Sequence, residues 1–110
     1  MKSSEEIIGS SIKIGNIEIA QHDFPYKLDW FEAQKACQSL GHGWRLPTKY
    51  ELNILYQNKI KIGGFVPNLY WSSDRYDASY AWVQDFANGE QDYYMGPKEI
   101  PIYFRVVKAF

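Results

Sequence analysis

The stretch from Gly43 to Leu52, GWRLPTKYEL, constrains the fold of this chain more than any other segment. Thr48 and Glu51 have the spacing of a capping box, in which each side chain satisfies a backbone N–H group of the first helical turn. Pro47 stands directly before this pair, as is common where a chain enters a helix. A helix that begins at Thr48 and runs to about Lys59 is therefore predicted. Its inward face consists of Leu52, Leu55 and Tyr56.

An earlier helix is predicted from the same kind of signal. Asp29 is a residue type favoured at the helix N-cap, and Glu32 follows it three positions later. Gly41 is suited to end the helix, because glycine readily adopts the left-handed conformation found after a last helical turn. Apolar residues recur between these limits at helical spacing and predict one buried face. They are Trp30, Ala33, Cys37 and Leu40.

The remaining pattern is that of β-strands. Isoleucines alternate with polar residues on both sides of Gly15-Asn16, which predicts two short strands joined by a tight turn. A second hairpin is predicted around Asn88-Gly89. Further strands are predicted at Leu69–Trp71, Tyr80–Phe86, Gln91–Met95 and Tyr103–Phe110. Because helices and strands are segregated along the chain, the fold class is α+β.

Length and composition suit one globular domain. The chain has 110 residues, of which 45% are hydrophobic and 23% charged, and this is enough to bury a single core. We expect residues 11–110 to form that domain and residues 1–10 to be a flexible N-terminal arm.

Charge and hydropathy exclude several classes of partner. The net charge is −1 and no cluster of Lys and Arg stands out, so nucleic acid is not an expected partner. No apolar run is long enough to insert into a bilayer, and the N-terminus lacks the apolar core of a signal peptide. The chain is therefore expected to be cytoplasmic or a domain excised from a secreted or surface protein. The single Cys37 excludes an internal disulfide, and no cofactor is expected.

Six segments, taken in their order and spacing, resemble the bacterial major paralogous domain family, which is related to the C-terminal domain of collagen-like adhesins. They are WFEAQKACQSLG, GWRLPTKYEL, Gly63-Gly64-Phe65, YWSS at Tyr70–Ser73, AWVQDFANG and FRVVKAF. The resemblance covers about Ile14 to Phe110. It implies a C-type-lectin-like domain, with two helices packed on twisted antiparallel sheets and the N- and C-terminal strands adjacent.

The resemblance also implies where ligands bind. In such domains the irregular region after the second helix carries the binding surface, and proteins diversified by retroelements vary the segments after the YWSS-like motif and before the last strand. Classical calcium-binding triplets are missing here: Val66-Pro67-Asn68 comes nearest, and Val66 cannot supply a carboxylate. Cys37 occupies a lectin cysteine position without a partner. Calcium-dependent sugar binding and cysteine-pair catalysis are therefore not expected.

Two segments, 74–80 and 90–103, have the composition of a binding surface. Tyrosine supplies contact area at low entropic cost, and Asp and Ser supply adaptable hydrogen bonds. We therefore predict a non-enzymatic recognition domain for a protein or glycan. The predicted contact residues are Asp74, Arg75, Tyr76, Asp77, Ser79, Tyr80, Gln91, Asp92, Tyr93, Tyr94 and Tyr103. Two alternatives stay open: exposed strand decoration, with Tyr favoured by β-propensity, and self-assembly into a homo-oligomer through the same surface.

A second set of residues is interpreted as structural. Arg45 is expected to pair with a carboxylate such as Glu51 or Asp85, and Arg105 must be paired and hydrogen-bonded if it is buried. The tryptophans are expected in the core. The full structural set is Trp44, Arg45, Thr48, Glu51, Trp71, Trp82 and Arg105.

Catalytic and metal-binding interpretations are weaker. His22, Asp23 and His42 could hold a metal, but they lack regular ligand spacing. Ser72 or Ser73 could act with His22 and Asp23 as a hydrolase, but no strained nucleophile turn surrounds either serine. Cys37 lies on an apolar helix face, which favours a buried residue over a reactive thiol. Neither an enzyme nor a metal site is predicted.

Overall fold

The chain adopts an α+β fold in which the two longer helices precede most of the strands. The computed structural model describes residues 3–110. Helices α1 to α4 span Ser4–Ile8, Trp30–Leu40, Lys49–Gln57 and Lys59–Ile62. Strands β1 to β6 span Ile12–Ile14, Ile17–Ile19, Leu69–Arg75, Ala81–Asp85, Gln91–Asp92 and Val107–Ala109.

The first sheet brings the ends of the domain together. Its strand order is β1-β2-β6, and both pairings are antiparallel. Ile17 lies opposite Ala109 and Ile19 lies opposite Val107. The prediction that the N- and C-terminal strands are adjacent is thereby confirmed.

The second sheet, with strand order β3-β4-β5, carries the candidate site at one end. Its β3–β4 pairing shifts register between Trp71 and Arg75, which marks a β-bulge. The two sheets are linked by the segment that leads into β6, because Tyr103 lies beside Tyr70 in a parallel bridge. The backbone N–H of Trp71 donates to the carbonyl oxygen of Tyr103 at 3.0 Å.

Two hydrophobic cores flank β3. Successive side chains of a strand point to opposite faces, so Trp71 enters one core and Tyr70 enters the other. The first core is packed around α2, and its largest members are Phe24, Trp30, Trp44, Trp71 and Phe104. The second is packed against α3 and α4, and its members include Leu52, Leu55, Tyr70 and Phe86.

Both long helices begin where the sequence predicts. The Asp29 carboxylate accepts a hydrogen bond from the backbone N–H of Glu32 at 2.8 Å. The Thr48 hydroxyl and the Glu51 carboxylate form the complete capping box, with bonds of 3.1 and 2.9 Å. Gly41 follows the last residue of α2, as expected. No helix within residues 3–110 has the length and apolarity needed to cross a membrane.

A buried arginine ties the C-terminal segment to the rest of the domain. Arg105 is fully buried, and its Nε donates to Asp23 Oδ1 at 2.8 Å. Its Nη atoms donate to the carbonyl oxygens of Ala20, Gln21 and Gly63 at 3.1 to 3.2 Å. The guanidinium therefore donates hydrogen bonds to the Asp23 carboxylate and to three backbone carbonyl groups, and a buried charge needs such partners.

The N-terminal segment differs from expectation. Residues 1–10 are predicted as a flexible arm, but among the described residues Ser4–Ile8 forms a helix. Ser3 and Glu6 cap this helix reciprocally, and Ile7 is 2% exposed within the first core. The physical reason is that burial of the Ile7 side chain is favourable, and the capping box satisfies the free backbone N–H groups of this short helix.

Several strand lengths are also corrected. The predicted return strand Gln91–Met95 ends at Asp92, because the chain turns at Tyr94 and Met95. The predicted last strand is regular only over Val107–Ala109 and makes isolated bridges before that. The strand predicted at Leu69–Trp71 continues past a bulge to Arg75.

Candidate functional site

The loop between β3 and β4 closes on itself. The backbone N–H groups of Tyr76 and Asp77 both donate to the carbonyl oxygen of Tyr80, at 2.9 and 3.2 Å. In addition, Asp77 Oδ1 accepts from the N–H groups of Ser79 and Tyr80, at 2.8 and 2.9 Å. Asp77, predicted as a ligand contact, therefore shapes the loop as an Asx turn.

A buried lysine fixes this loop to the body of the domain. Lys98 Nζ donates to the carbonyl oxygen of Asp77 at 2.6 Å, and the ammonium lies 4.6 Å from the ring centroid of Trp30. The backbone N–H of Lys98 also donates to the carbonyl oxygen of Ser79 at 2.9 Å. Lys98 is only 3% exposed, which is rare for lysine and depends on these partners.

An aromatic cluster covers the adjoining face of the second sheet. The rings of Tyr76 and Tyr93 stack with centroids 3.6 Å apart and planes 6° apart. Trp82 meets the same pair edge-on, at 6.0 Å from Tyr76 and 5.6 Å from Tyr93. Tyr80 and Tyr94 complete the cluster by edge contacts to Tyr93 at 6.2 and 5.6 Å. We call these five residues the aromatic patch.

Trp82 was expected in the core, but it lies outside both cores. The alternation of β4 directs Ala81 and Val83 into the first core, so the intervening Trp82 faces outward and is half-buried. Its contacts are with Tyr76 and Tyr93 of the aromatic patch.

The first turn of α3 extends the patch, which sequence reasoning missed. Lys49 Nζ lies 4.2 Å from the ring centroid of Trp82 and 5.7 Å from that of Tyr50. Tyr50 itself is largely exposed. The available signal was the position of Lys49 and Tyr50 on α3, off the face formed by Leu52 and Leu55.

Two predicted contact residues instead hold the start of α3. Asp74 Oδ2 accepts from the backbone N–H of Lys49 at 2.6 Å, which caps the helix a second time. Gln91 Nε2 donates to the carbonyl oxygen of Lys49 at 2.6 Å and to the buried Gln84 at 3.2 Å. These two side chains link α3 to the second sheet, and they are not members of the aromatic patch.

Two others are held by contacts within the domain. Asp92 is buried, and its Oδ1 accepts from the backbone N–H of Tyr94 at 2.9 Å. Tyr103 packs on the second core, with its ring 5.8 Å from Tyr70 and under the ammonium of Lys27. Tyr103 takes this position because it forms a parallel bridge with Tyr70 of β3, a pairing that the local sequence pattern does not reveal.

Arg75 and Ser79 remain from the predicted contact set. Both are exposed beside the patch, Arg75 at the end of β3 and Ser79 in the loop. The adjacent Tyr76 side chain raises the pKa of the Tyr93 phenol, and the adjacent Asp92 carboxylate raises the pKa of the Tyr94 phenol. Both phenols therefore stay neutral at physiological pH, and the ammonium of Lys49 lies at the edge of the patch.

Arg45 and Glu51 form the ion pair predicted for them. Arg45 Nη1 and Nη2 donate to the two carboxylate oxygens of Glu51 at 2.7 and 3.0 Å, a bidentate geometry. These hydrogen bonds lower the pKa of Glu51. Arg45 is 40% exposed at its side chain, so this pair lies at the surface.

The catalytic and metal alternatives meet direct structural obstacles. The Asp23 carboxylate is held by Arg105 at 2.8 Å and by the hydroxyl of Tyr70 at 2.6 Å. Ser72 is fully buried and donates to the carbonyl oxygen of Trp82 at 2.8 Å, so it cannot attack a substrate. Within residues 3–110, no three His, Cys, Asp or Glu side chains lie together as metal ligands would.

Comparison with known proteins identifies the family. The model of the Lcl C-terminal domain family matches residues 9–108 of the chain. The chain matches no curated protein. Among solved structures, the crystal structure of botrocetin is similar with a TM-score of 0.66 and 10% sequence identity, over 93% of this chain and 98% of botrocetin.

Botrocetin has a C-type-lectin-like fold, and a similarity at this low identity supports the fold alone. The expected C-type-lectin-like architecture is thereby confirmed. The chain therefore belongs to the Lcl C-terminal domain family and has a C-type-lectin-like fold.

Proposed function

We propose that this domain recognises a protein or glycan, without catalysis, through the aromatic patch and the adjoining side chains of Arg75 and Ser79. The observation that carries the proposal is the stacked pair of Tyr76 and Tyr93, with Tyr76 48% exposed and the neighbouring Tyr94 66% exposed. Neither stacked ring belongs to either hydrophobic core. Clustered exposed aromatic rings are typical of binding surfaces.

The backbone beneath the patch supports this proposal. The loop at 76–80 is closed by its own hydrogen bonds and by Lys98, so its exposed side chains are held before a ligand arrives. A preorganised surface loses less conformational entropy on binding. Tyrosine and tryptophan rings suit both proposed ligand classes, because they stack on sugar rings and pack on protein surfaces.

The proposal also draws on the resemblance to major paralogous and collagen-like adhesin domains. In proteins that retroelements diversify on the same scaffold, the segments after the YWSS-like motif and before the last strand hold the variable contact residues. The proposed contact set omits Asp74, Gln91, Asp92 and Tyr103, because these residues have internal partners.

The double variant Tyr76→Ala/Tyr93→Ala tests the proposal. Ligands found for the wild-type domain on glycan and protein arrays should bind the variant at least about thirtyfold more weakly, the effect of losing a central aromatic anchor. The matched control is Tyr26→Ala, since Tyr26 is similarly exposed at 46% and contacts Phe24 elsewhere. Circular dichroism should show both variants folded.

Undiminished binding by the folded double variant would reject the aromatic patch as the ligand site. Light scattering on the same proteins distinguishes self-assembly from ligand recognition. A wild-type oligomer that dissociates in Tyr76→Ala/Tyr93→Ala would assign the patch to contacts between copies of the chain instead.

A further inference from the structure

Tyr76 and Tyr93 form the closest pair of aromatic rings within residues 3–110. Their centroids are 3.6 Å apart and their planes are 6° apart. Aromatic pairs in proteins usually have centroids about 4.5 to 7 Å apart and favour offset or edge contacts. The two phenol rings instead lie almost directly over one another, so their carbon atoms are in van der Waals contact across the stack.

Two separate backbone segments hold these rings together. Tyr76 lies in the loop after β3, where its N–H donates to the carbonyl oxygen of Tyr80 at 2.9 Å. Tyr93 lies directly after β5, where its carbonyl oxygen accepts from the N–H of Gly96 at 2.8 Å. Both side chains therefore extend from a fixed backbone, and a reaction between the rings has the advantage of an intramolecular pair.

The stacked pair is open to reagents in solution. The Tyr76 residue is 48% exposed, and Tyr93 is half-buried. Neither ring is enclosed by a hydrophobic core. An oxidant that removes electrons from exposed phenols can therefore reach both members of the pair.

The other contacts between tyrosine rings lack this combination. Tyr80 and Tyr94 meet Tyr93 edge-on, with centroids 6.2 and 5.6 Å apart and planes at 85°. Tyr70 lies 5.8 Å from Tyr103, and Tyr70 is fully buried. Among the tyrosines that the structure describes, face-to-face contact and access to solvent therefore coincide in one pair.

We propose that Tyr76 and Tyr93 form a site of oxidative cross-linking, where a peroxidase acting with hydrogen peroxide joins them as dityrosine. Each phenol gives one electron and its hydroxyl proton to the oxidant and becomes a phenoxyl radical. The two unpaired electrons form a bond between one Cε atom of each ring. The hydrogen on each bonded Cε then moves to a phenol oxygen, which restores both aromatic rings. The two electrons and two protons that are lost convert one hydrogen peroxide into two waters.

The cross-link joins the loop at 76–80 covalently to the turn that follows β5. It changes the aromatic patch itself. The reaction depends only on the distance between the two rings and on their exposure, and no ligand takes part in it. The inference therefore stands independently of the proposed function.

Oxidation of the purified domain with a haem peroxidase and hydrogen peroxide tests the site. At low protein concentration, the monomer fraction should gain dityrosine fluorescence and lose the mass of two hydrogen atoms. Glu90 lies between the two tyrosines in the chain. After digestion with trypsin and a glutamate-specific protease, the peptides on either side of Glu90 should stay linked through Tyr76 and Tyr93.

Phenylalanine variants show whether the stacked pair is the source of the product. Tyr76→Phe and Tyr93→Phe keep the ring but remove the hydroxyl that the oxidation requires. Each should reduce dityrosine in the monomer about tenfold or more, because the remaining phenol loses its positioned partner. Tyr26→Phe is the matched control and should leave the yield unchanged, because Tyr26 is 46% exposed and contacts Phe24 instead.

Oxidation of the wild type in concentrated urea shows whether the fold places the two rings. Unfolding separates them, so the linked peptides should be lost. The proposal is overturned if the folded monomer forms no dityrosine, or if Tyr76→Phe or Tyr93→Phe forms as much as the wild type. It is also overturned if the linked peptides join a different pair of tyrosines, or if unfolded protein gives the same yield.

Discussion

Arg105 donates to Asp23 across 2.8 Å, although 82 residues separate them in the chain. The second Asp23 oxygen accepts from the Tyr70 hydroxyl at 2.6 Å, and that hydroxyl accepts from the backbone N–H of Val66 at 2.9 Å. One buried network thus connects the last segment, the segment after β2 and the start of β3. The FRVV and YWSS motifs meet in this network through Arg105 and Tyr70.

Replacing Arg105 by Met should destabilise the domain by about 3–5 kcal/mol, because Asp23 and three carbonyl groups lose their buried donor. Urea unfolding measures this change. Lys108→Met is the matched control: its ammonium lies 5.0 Å from the Trp44 ring at a half-buried position, and its loss should be below about 1 kcal/mol. Equal losses in the two variants would contradict the network.

Glu51→Gln should reduce the free energy of unfolding by about 1 kcal/mol at neutral pH, because the pair with Arg45 lies at the surface. Because Arg45 is equally part of this surface pair, Arg45→Ala should cause a loss of similar size. Arg45 lowers the pKa of Glu51 from its ordinary value of 4.5. The pair's stabilisation is therefore complete above that pH and is lost as pH falls through the lowered pKa.

Urea unfolding of wild type and Glu51→Gln at pH 7 and pH 3 would measure this dependence. The difference between the two proteins should narrow at the lower pH. A difference that stays constant or widens on acidification would show that the ion pair is not its source.

Lys98→Met should loosen the loop at 76–80 without unfolding the domain. Methionine keeps the apolar contact with Trp30 but cannot donate to the carbonyl oxygen of Asp77. Hydrogen exchange at the Tyr80 amide should accelerate about tenfold, as expected for a loss on the order of 1 kcal/mol. Lys59→Met, which removes a similar bond to the Phe86 carbonyl, should leave this amide unchanged.

The Cys37 thiol should react slowly with a thiol reagent in the native protein. It is buried, and desolvation raises its pKa to about 12, so little thiolate is present at neutral pH. Ser39 is exposed on the same helix, and the variant Cys37→Ala/Ser39→Cys provides the comparison. We expect Cys37 to label roughly a hundredfold or more slowly. Similar rates would mean that α2 opens readily.

Helix positions were predictable because their signals are local. The Asp29 side chain bonds a backbone N–H three residues on, and Thr48 and Glu51 bond each other's backbone N–H groups at the same spacing. Both N-caps form where they are predicted, although the full reciprocal box forms only at Thr48. Ser3 and Glu6 have the same spacing and carry the signal for α1 that the prediction of a flexible arm overlooked. The local sequence at the N-terminus was therefore sufficient to predict α1.

The candidate site was less predictable because its geometry is set by distant pairings. Asp74, Gln91 and Asp92 look alike in sequence to exposed loop residues, and only the approach of α3 and the turn at Tyr94 show their internal partners. The stack of Tyr76 on Tyr93 likewise depends on how β3, β4 and β5 assemble. The composition of segments 74–80 and 90–103 indicated a surface region, but the tertiary contacts determine which of its side chains are exposed.

The self-closing loop at 76–80 has a consequence for how this domain can change. Main-chain groups, the Asp77 carboxylate and Lys98 hold the loop. The side chains of Arg75 and Ser79 make none of these bonds. Substitution at those two positions alters the chemistry displayed to a ligand while the peptide path stays fixed. Ligand preference can therefore drift between relatives at almost no thermodynamic penalty to folding.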